Sequence, residues 1–120
     1  MMRNLTGPAA NAILRQIGVL ARIDSTDRQK PILIIEDLES VDWASLTFVG
    51  QRHIFALRLE GAAAAIAAVQ AQLGAALAGS EIAVAGGFVA EICADAGDCR
   101  ALPDGRAAWQ FRVEALSIRD

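Results

Sequence analysis

Residues 53–60 read HIFALRLE and lead directly into an alanine-rich run over residues 61–79, GAAAAIAAVQAQLGAALAG. The first run alternates in character, which predicts a strand with one face towards the core. That face carries His53, Phe55, Leu57 and Leu59. The second run spaces its larger apolar residues as one stripe of a helix, and alanine is the best helix former. The stripe consists of Ile66, Val69, Leu73 and Leu77, and Gly61 and Gly79 bracket the predicted helix.

The segment before this pair predicts a short helix, a connector and a first strand. Apolar residues at helical spacing predict an amphipathic helix from Pro8 to Arg22. The polar residues that follow end in Pro31, and proline disfavours helix at the residue before it, so Ile23 to Lys30 is predicted to be a connector. The β-branched run Ile32 to Ile35 then predicts a strand. A long hairpin with a polar far end joins it to the alternating strand, with Gly50-Gln51 as the expected turn.

The remaining residues predict three more strands. These are Glu81 to Ala85, Phe88 to Ala94 and Ala108 to Ile118, with Gly86-Gly87 as a bend between the first two. Pro103-Asp104-Gly105-Arg106 supplies the turn residues of a hairpin between the last two, with Gly105 able to take positive φ. The order α-β-β-α-β-β-β predicts an α+β fold, a largely antiparallel sheet of four to five strands with the long helix packed on one face and a short N-terminal helix. At 120 residues the chain fits a single domain, 1–120.

Composition and charge argue against several classes of function. The chain has 11 Lys and Arg against 14 Asp and Glu, a net charge of −3, and its basic residues form no block. Sequence-independent DNA binding depends on clustered cations and is therefore disfavoured. Aromatic residues make up 5% with no Tyr, which argues against a platform that stacks single-stranded bases. No apolar stretch is long enough to span a membrane and the opening residues lack a signal peptide's apolar segment, so a soluble protein made in the cytosol is expected.

The residues that could carry chemistry lack recognisable partners in the sequence. His53 is the single histidine and no Gly-x-Ser-x-Gly motif marks a nucleophilic serine, so His53 is predicted to be structural or interfacial. Gly86-Gly87 lacks the further residues of a phosphate or dinucleotide loop, and no cofactor is expected. Cys93 and Cys99 are separated by five residues, which fits neither common zinc motifs nor a disulfide framework. We therefore do not expect an enzyme.

Four carboxylates lie close together in the segment between the first two strands. They are Glu36, Asp37, Glu39 and Asp42. Carboxylates that converge on Mg²⁺ support phosphoryl transfer. On a regular strand, however, Glu36 points away from Asp37 and Glu39, so convergence on one ion would require a bulge. Two interpretations remain: a solvated edge whose charges discourage wrong strand pairing, and an acidic patch at an oligomer interface or a lumen.

The hairpin segment from Glu36 to Gln51 carries more charge and fewer candidates for burial than a stable monomer would need. Trp43, Phe48 and Val49 would be exposed apolar surface there, which soluble proteins tend to cover by association. We therefore predict that this end is an arm that contacts another subunit or docks on a partner. The alternative is that Trp43 folds back onto its own sheet.

Several short motifs in this order resemble a known family. They are Asp42-Trp43, Gly50-Gln51-Arg52-His53, the alternating strand with its helix, Leu102-Pro103-Asp104-Gly105-Arg106, and Phe111-Arg112-Val113-Glu114-Ala115-Leu116. The pattern covers residues 31–118 and is similar to the tail-completion, or tail-terminator, proteins of siphophages and gene transfer agents.

The resemblance implies a structural virion protein of the head–tail junction, assembled in the host cytoplasm. It implies a homo-hexameric ring that caps the tail tube protein, stops tube elongation and joins the head–tail connector (stopper), while DNA passes through the lumen without sequence-specific binding. The expected interface consists of Trp43, Phe48, Val49, Gln51, Arg52 and His53, and the expected lumen or acidic patch of Glu36, Asp37, Glu39 and Asp42. An acidic wall would repel phosphate and not trap moving DNA. The competing interpretation is another small α+β interaction domain, such as a different head–tail connector or a non-viral binding module.

Overall fold

The computed structural model describes residues 7–24, 26–27 and 29–120. Two predictions lie outside these residues: the absence of a signal peptide in residues 1–6, and the assignment of Ser25 and Arg28 to the connector. The helices and strands are α1 (Pro8–Leu20), β1 (Ile32–Ala44), β2 (Val49–Ala62), α2 (Ala63–Ala78), β3 (Ala83–Val84), β4 (Gly87–Ala94), β5 (Asp98–Leu102) and β6 (Arg106–Arg119).

The strands form one antiparallel sheet in the order β1-β2-β6-β4-β3. β5 also pairs with β6, beyond the end of β4, so that β4 and β5 follow one edge of β6 in succession. The predicted α+β fold is confirmed, as are both helices and the antiparallel sheet. Among the described residues the sheet has six strands, one more than the largest number predicted.

The additional strand is β5, which follows an irregular segment after β4. Its side chains are exposed except for the half-buried Leu102, so the apolar alternation that marks a half-buried strand is missing. Gly97 has a φ of +61° at the start of β5, and a Cβ there would lie 2.8 Å from the Cβ of Phe111. The indole Nε1 of Trp109 donates a hydrogen bond of 2.9 Å to the carbonyl oxygen of Ala96. Ala96 and Gly97 lie against the buried side chain of Trp109, and these contacts fix the change of direction between β4 and β5.

The core lies between one face of the sheet and the two helices. Alternate residues of β2 are buried, and they are His53, Phe55, Leu57 and Leu59. The buried residues of α2 are the predicted stripe of Ile66, Val69, Leu73 and Leu77. Burying one such side chain contributes about 1.5–3 kcal/mol. The opposite sheet face, which we call the open face, carries the half-buried β2 residues Arg52, Ile54, Ala56, Arg58 and Glu60.

The β1–β2 hairpin turns at a different place from the one predicted. The loop comprises residues 45–48, and Gly50 and Gln51 lie inside β2. Gly50 is required because β2 approaches β6 so closely that a Cβ would collide with the Ser117 carbonyl oxygen. The last β2–β6 pair is Gly50–Ile118, so only residues 44–49 extend beyond the support of β6. The far end is therefore shorter than predicted.

Candidate interaction surface

The hairpin loop is closed by its own polar groups. The Ser45 N–H donates to the Phe48 carbonyl oxygen at 2.8 Å, and the Ser45 hydroxyl oxygen accepts from the N–H groups of Phe48 at 3.1 Å and Thr47 at 3.4 Å. A serine that satisfies nearby backbone donors in this way stabilises a tight turn. The loop therefore has a defined conformation while its apolar side chains face solvent.

Five apolar residues lie at this end of the hairpin, and we call this end the tip: Val41, Trp43, Leu46, Phe48 and Val49. Leu46 is fully exposed, and Phe48 is 53% exposed. Val49 and Val41 are also exposed, whereas Trp43 is half-buried. The sequence prediction omitted Leu46, although an apolar residue between Ser45 and Thr47 in a loop is a signal that could have found it. Exposed apolar residues on an ordered loop are a candidate for association.

The other predicted interface residues occupy different positions. Gln51 and Arg52 are half-buried and lie on opposite faces of β2. Arg52 pairs with the tip residue Val41 across the hairpin, and Gln51 pairs with Asp42. His53 is 1% exposed, and its assignment to an interface is wrong for the folded chain. The register of β2 turns His53 towards the helices, where α1 and α2 close the core over this face. Its predicted structural role fits this position.

His53 makes a short chain of hydrogen bonds across three strands. Its Nδ1 lies 2.7 Å from the Ser40 hydroxyl of β1, and its Nε2 lies 2.9 Å from the Ser117 hydroxyl of β6. The Ser117 hydroxyl donates its proton to the Gln51 carbonyl oxygen at 3.4 Å. It therefore accepts from His53, so we assign the proton of the neutral ring to Nε2, and Nδ1 accepts from Ser40. Burial lowers the pKa of His53 because the charged ring loses its solvation.

The Ser40–His53 pair has the separation of a nucleophile and its base. The ring's second nitrogen, however, faces the neutral hydroxyl of Ser117 rather than a carboxylate that would stabilise an imidazolium. The contacts of His53 therefore fit a role in connecting β1, β2 and β6. Neither serine partner is predictable from local sequence, because Ser40 is 13 residues and Ser117 is 64 residues away from His53 and each lies on another strand.

The four predicted acidic residues divide between the two faces of β1. A bulge between Ile35 and Asp37 breaks the regular alternation of side chains along β1. Glu36 lies over the open face, where it accepts hydrogen bonds from Arg58 Nη1 at 3.3 Å and Gln110 Nε2 at 3.0 Å. Asp37 and Glu39 register with the open-face residues Ala56 and Ile54. Asp42 instead registers with Gln51 on the helix side.

The remaining sequence candidates are placed as follows. In the described ranges, no three His, Cys, Asp or Glu side chains are grouped so as to hold a metal ion. Cys93 and Cys99 are free thiols on the protein surface. Pro103–Gly105 form a short 3₁₀ turn, and both Asp104 and Gly105 have positive φ. The turn joins β5 to β6, whereas the predicted hairpin joined the strand Phe88 to Ala94 with the strand Ala108 to Ile118. None of the helices in residues 7–24, 26–27 and 29–120 has the length and apolar character to cross a bilayer.

The fold and the tip together describe a small α+β protein with exposed apolar residues at one end of a long hairpin. No protein-family model matches the chain, and no curated protein matches it. A solved structure does share the fold: a chain of the virion of a native gene transfer agent particle superimposes with a TM-score of 0.53 at 16% sequence identity. The superposition covers 85% of this chain and 84% of that chain.

Proposed function

We propose that this chain is a structural protein of a tailed virion or gene transfer agent particle and that it acts there as the tail terminator. The observation that carries the proposal is the fold shared with a chain of a gene transfer agent virion over 85% of the present chain. The second support is the resemblance of the sequence motifs to tail-terminator proteins. The two point to the same kind of particle from separate starting points.

In this role the chain forms a hexameric ring at the head–tail junction. The ring caps the tube protein, stops tube elongation and joins the head–tail connector, and DNA passes through its lumen. The exposed tip supports the proposal because a contact between two different surfaces closes into a ring when the rotation between copies fits. Asp37 and Glu39 lie on the open face beside the Glu36–Arg58 ion pair, and they support the acidic surface expected of a lumen that does not retain DNA.

A second candidate function is another interaction domain of the same particle, such as a different head–tail connector. The exposed tip favours this candidate equally, because Leu46 and Phe48 can dock on any apolar partner.

Deletion of the gene in the native host tests the terminator role. We expect tails of uncontrolled length that do not join heads, visible by electron microscopy, and restoration of normal particles when the wild-type chain is supplied. Uniform, joined tails without the protein would refute the terminator role. Tails of normal length that remain separate from heads would favour the second candidate function, a different head–tail connector.

A further inference from the structure

The sheet has an open strand edge on each side. In the part of the chain that the structure describes, β1 pairs with β2 alone. On the opposite side, β4 and β5 pair with β6, and the outer edge of β4 is covered by β3 and Ile82 only from Gly87 to Val89. An open edge presents backbone N–H and C=O groups with which a further strand can pair. We call these the β1 edge, residues 32–44, and the β4–β5 edge, residues 90–102.

The two edges are interrupted at the same level of the sheet. One continuous row across the four strands lies on the tip side of the interruption, and another lies on the far side: Leu38–Phe55–Val113–Ala94 and Ile34–Arg58–Gln110–Asp98. Between these rows β2 and β6 each have two residues, whereas the β1 edge has three, 35–37, and the β4–β5 edge has three, 95–97. The outlines of the two edges therefore match on both sides of the interruption.

The strand directions allow the two edges to meet between copies. Each strand in the order β1-β2-β6-β4 is antiparallel to its neighbour, and β5 runs in the same direction as β4. A strand added outside β4 and β5 must therefore run in the direction of β1 to continue the antiparallel sheet. β1 of a second copy does so when the two copies are related by a rotation about an axis along the strands. That rotation also keeps the helices of both copies on the same side of the sheet.

The β1 edge carries apolar side chains that a further strand would cover. Ile32 is 48% exposed, Val41 is 44% exposed and Ile35 is 43% exposed. Ile32 and Val41 lie on the open face, whereas Ile35 lies on the helix side, as their registers with β2 show. Because a strand added to the edge contacts both faces at once, it would reduce the exposure of all three side chains.

Pairing of the β1 edge with another β1 edge is less favourable. β1 contains four carboxylates and no basic residue in its sequence. Antiparallel pairing of two β1 strands about their middle residue, Leu38, would place Asp37 opposite Glu39. Like charges directly opposite each other destabilise a strand pair.

We propose that the β1 edge of one copy pairs with the β4–β5 edge of a second copy, in the alignment at which the two interruptions coincide. The inference rests on the proposed ring and specifies its subunit contact. Each contact leaves one open edge at either end, so successive copies close into a ring when the rotation fits. The residues that lie opposite each other, with the β1 residue first, are Ile32–Arg100, Leu33–Cys99, Ile34–Asp98, Leu38–Ala94, Glu39–Cys93, Ser40–Ile92 and Val41–Glu91.

This alignment places no two like charges directly opposite each other in the paired rows. Glu39 faces the thiol of Cys93, and Glu91 faces the side chain of Val41. Asp37 and Asp95 both lie in the interruptions, outside the paired rows. The alignment therefore avoids the direct opposition of carboxylates that pairing about Leu38 would produce.

Disulfide cross-linking tests the contact through the native thiols, which are exposed. In a chain that carries Cys99→Ser, Glu39→Cys places a new thiol opposite Cys93 of the second copy, at a separation that a disulfide can bridge. Within one copy residues 39 and 93 are separated by two intervening strands, about 14 Å, which is too far for a bond. Oxidation of the purified chain with diamide, which takes up the two electrons and two protons lost by the thiols, should give a ladder of linked multimers on non-reducing gels.

Matched controls test the alignment. Val41→Cys, in the same Cys99→Ser chain, lies two residues further along the same face, and Asp42→Cys lies on the helix side. Neither meets Cys93 in the proposed alignment, so both should remain largely monomeric under the same oxidation. Leu33→Cys in a chain that carries Cys93→Ser should link to Cys99 and give a second ladder. Circular dichroism checks that each variant has the native fold.

The possible outcomes separate the proposed contact from pairing between two β1 edges. Glu39→Cys in a chain without Cys93 and Cys99 should stay monomeric, and a linked dimer there would show β1–β1 pairing and overturn the proposal. Equal linking from residues 39 and 41 would overturn the alignment. Folded variants that give no ladder from residue 39 or residue 33 at the highest soluble concentration would overturn the contact itself.

A charge exchange provides an independent test of the pair Val41–Glu91. Val41→Glu should weaken association about two- to fivefold in sedimentation experiments, because it places a carboxylate opposite Glu91. Adding Glu91→Lys should restore most of the loss, whereas Val19→Glu, at an α1 position that is 66% exposed, should associate like the wild type. Effects of the two changes that simply add would overturn the pair. The particle assay fails independently: normal tails in a deletion strain refute the terminator role, whereas missing links refute only the contact between the edges.

Discussion

Nδ1 of His53 lies 2.7 Å from the hydroxyl oxygen of Ser40, across the boundary between β2 and the edge strand β1. Burial lowers the pKa of His53 in the folded state, whereas the unfolded chain titrates near the ordinary value of about 6.5. The unfolded state therefore binds this proton more readily. We expect the free energy of unfolding to be insensitive to this group well above pH 6.5 and to decrease as the pH falls through that value and below it.

Urea unfolding of the wild type and His53→Gln between pH 8 and pH 5 measures this effect. The variant cannot titrate at residue 53, so its free energy of unfolding should fall less steeply than that of the wild type as the pH decreases. Parallel curves for the two proteins would show that His53 does not contribute to the pH dependence.

Leu73→Asp should abolish folding, because Leu73 is fully buried in the stripe that α2 presents to the sheet. Truncation of such a leucine to alanine already costs about 2–5 kcal/mol, and an unpaired buried carboxylate adds a large desolvation penalty. Circular dichroism and thermal melting measure the loss. Ala71→Asp, at an exposed position of the same helix, is the control and should melt near the wild type.

Gly97→Ala should destabilise the fold more than Gly86→Ala. Both glycines have positive φ, but a Cβ at Gly86 meets no atom within 4 Å, whereas a Cβ at Gly97 would press on the Gln110 carbonyl and on Trp109. Placing a Cβ in the left-handed conformation costs about 1–2 kcal/mol at either position, and the collision at Gly97 adds to it. Chemical denaturation of the two variants provides the comparison, and equal losses would show that the chain relaxes around residue 97.

Trp43→Ser combined with Phe48→Ser should leave a folded chain that no longer forms rings or caps tubes. Phe48 is 53% exposed, so its loss should have little effect on stability, and the single Phe48→Ser variant controls for this. Thermal melting and electron microscopy of tubes measure the two properties. If the double variant unfolds while the single one does not, Trp43 supports its own sheet; normal assembly would remove the arm hypothesis.

The secondary structure was largely predictable from local patterns. Alanine-rich residues with large apolar side chains at helical spacing predicted α2, and Ala63–Ala78 lies between the two bracketing glycines. Alternation in β2 identified its buried face, including Phe55 and Leu57. Both patterns arise from neighbours in sequence, because the periodicity of a helix or strand decides which side chains share a face.

Features produced by long-range pairing were not predictable in this way. Ser40 and Ser117 reach His53 only through the register of β1 and β6 with β2, and no local motif encodes that register. The glycine at residue 50 suggested a turn because glycine favours turns. Glycine is required at residue 50 because a Cβ there would collide with the Ser117 carbonyl oxygen on the neighbouring strand β6. Residues 50 and 117 are far apart in the sequence, so no local pattern predicts this contact.

The length of the β1–β2 hairpin also sets how far the tip lies from the opposite end of the two strands. Inserting two residues into each strand would preserve which side chains face the core and lengthen the hairpin by about 7 Å, whereas inserting one would reverse the faces. The distance that the tip reaches from the start of β1 is therefore set by the number of residue pairs between Ile32–Glu60 and Ala44–Val49.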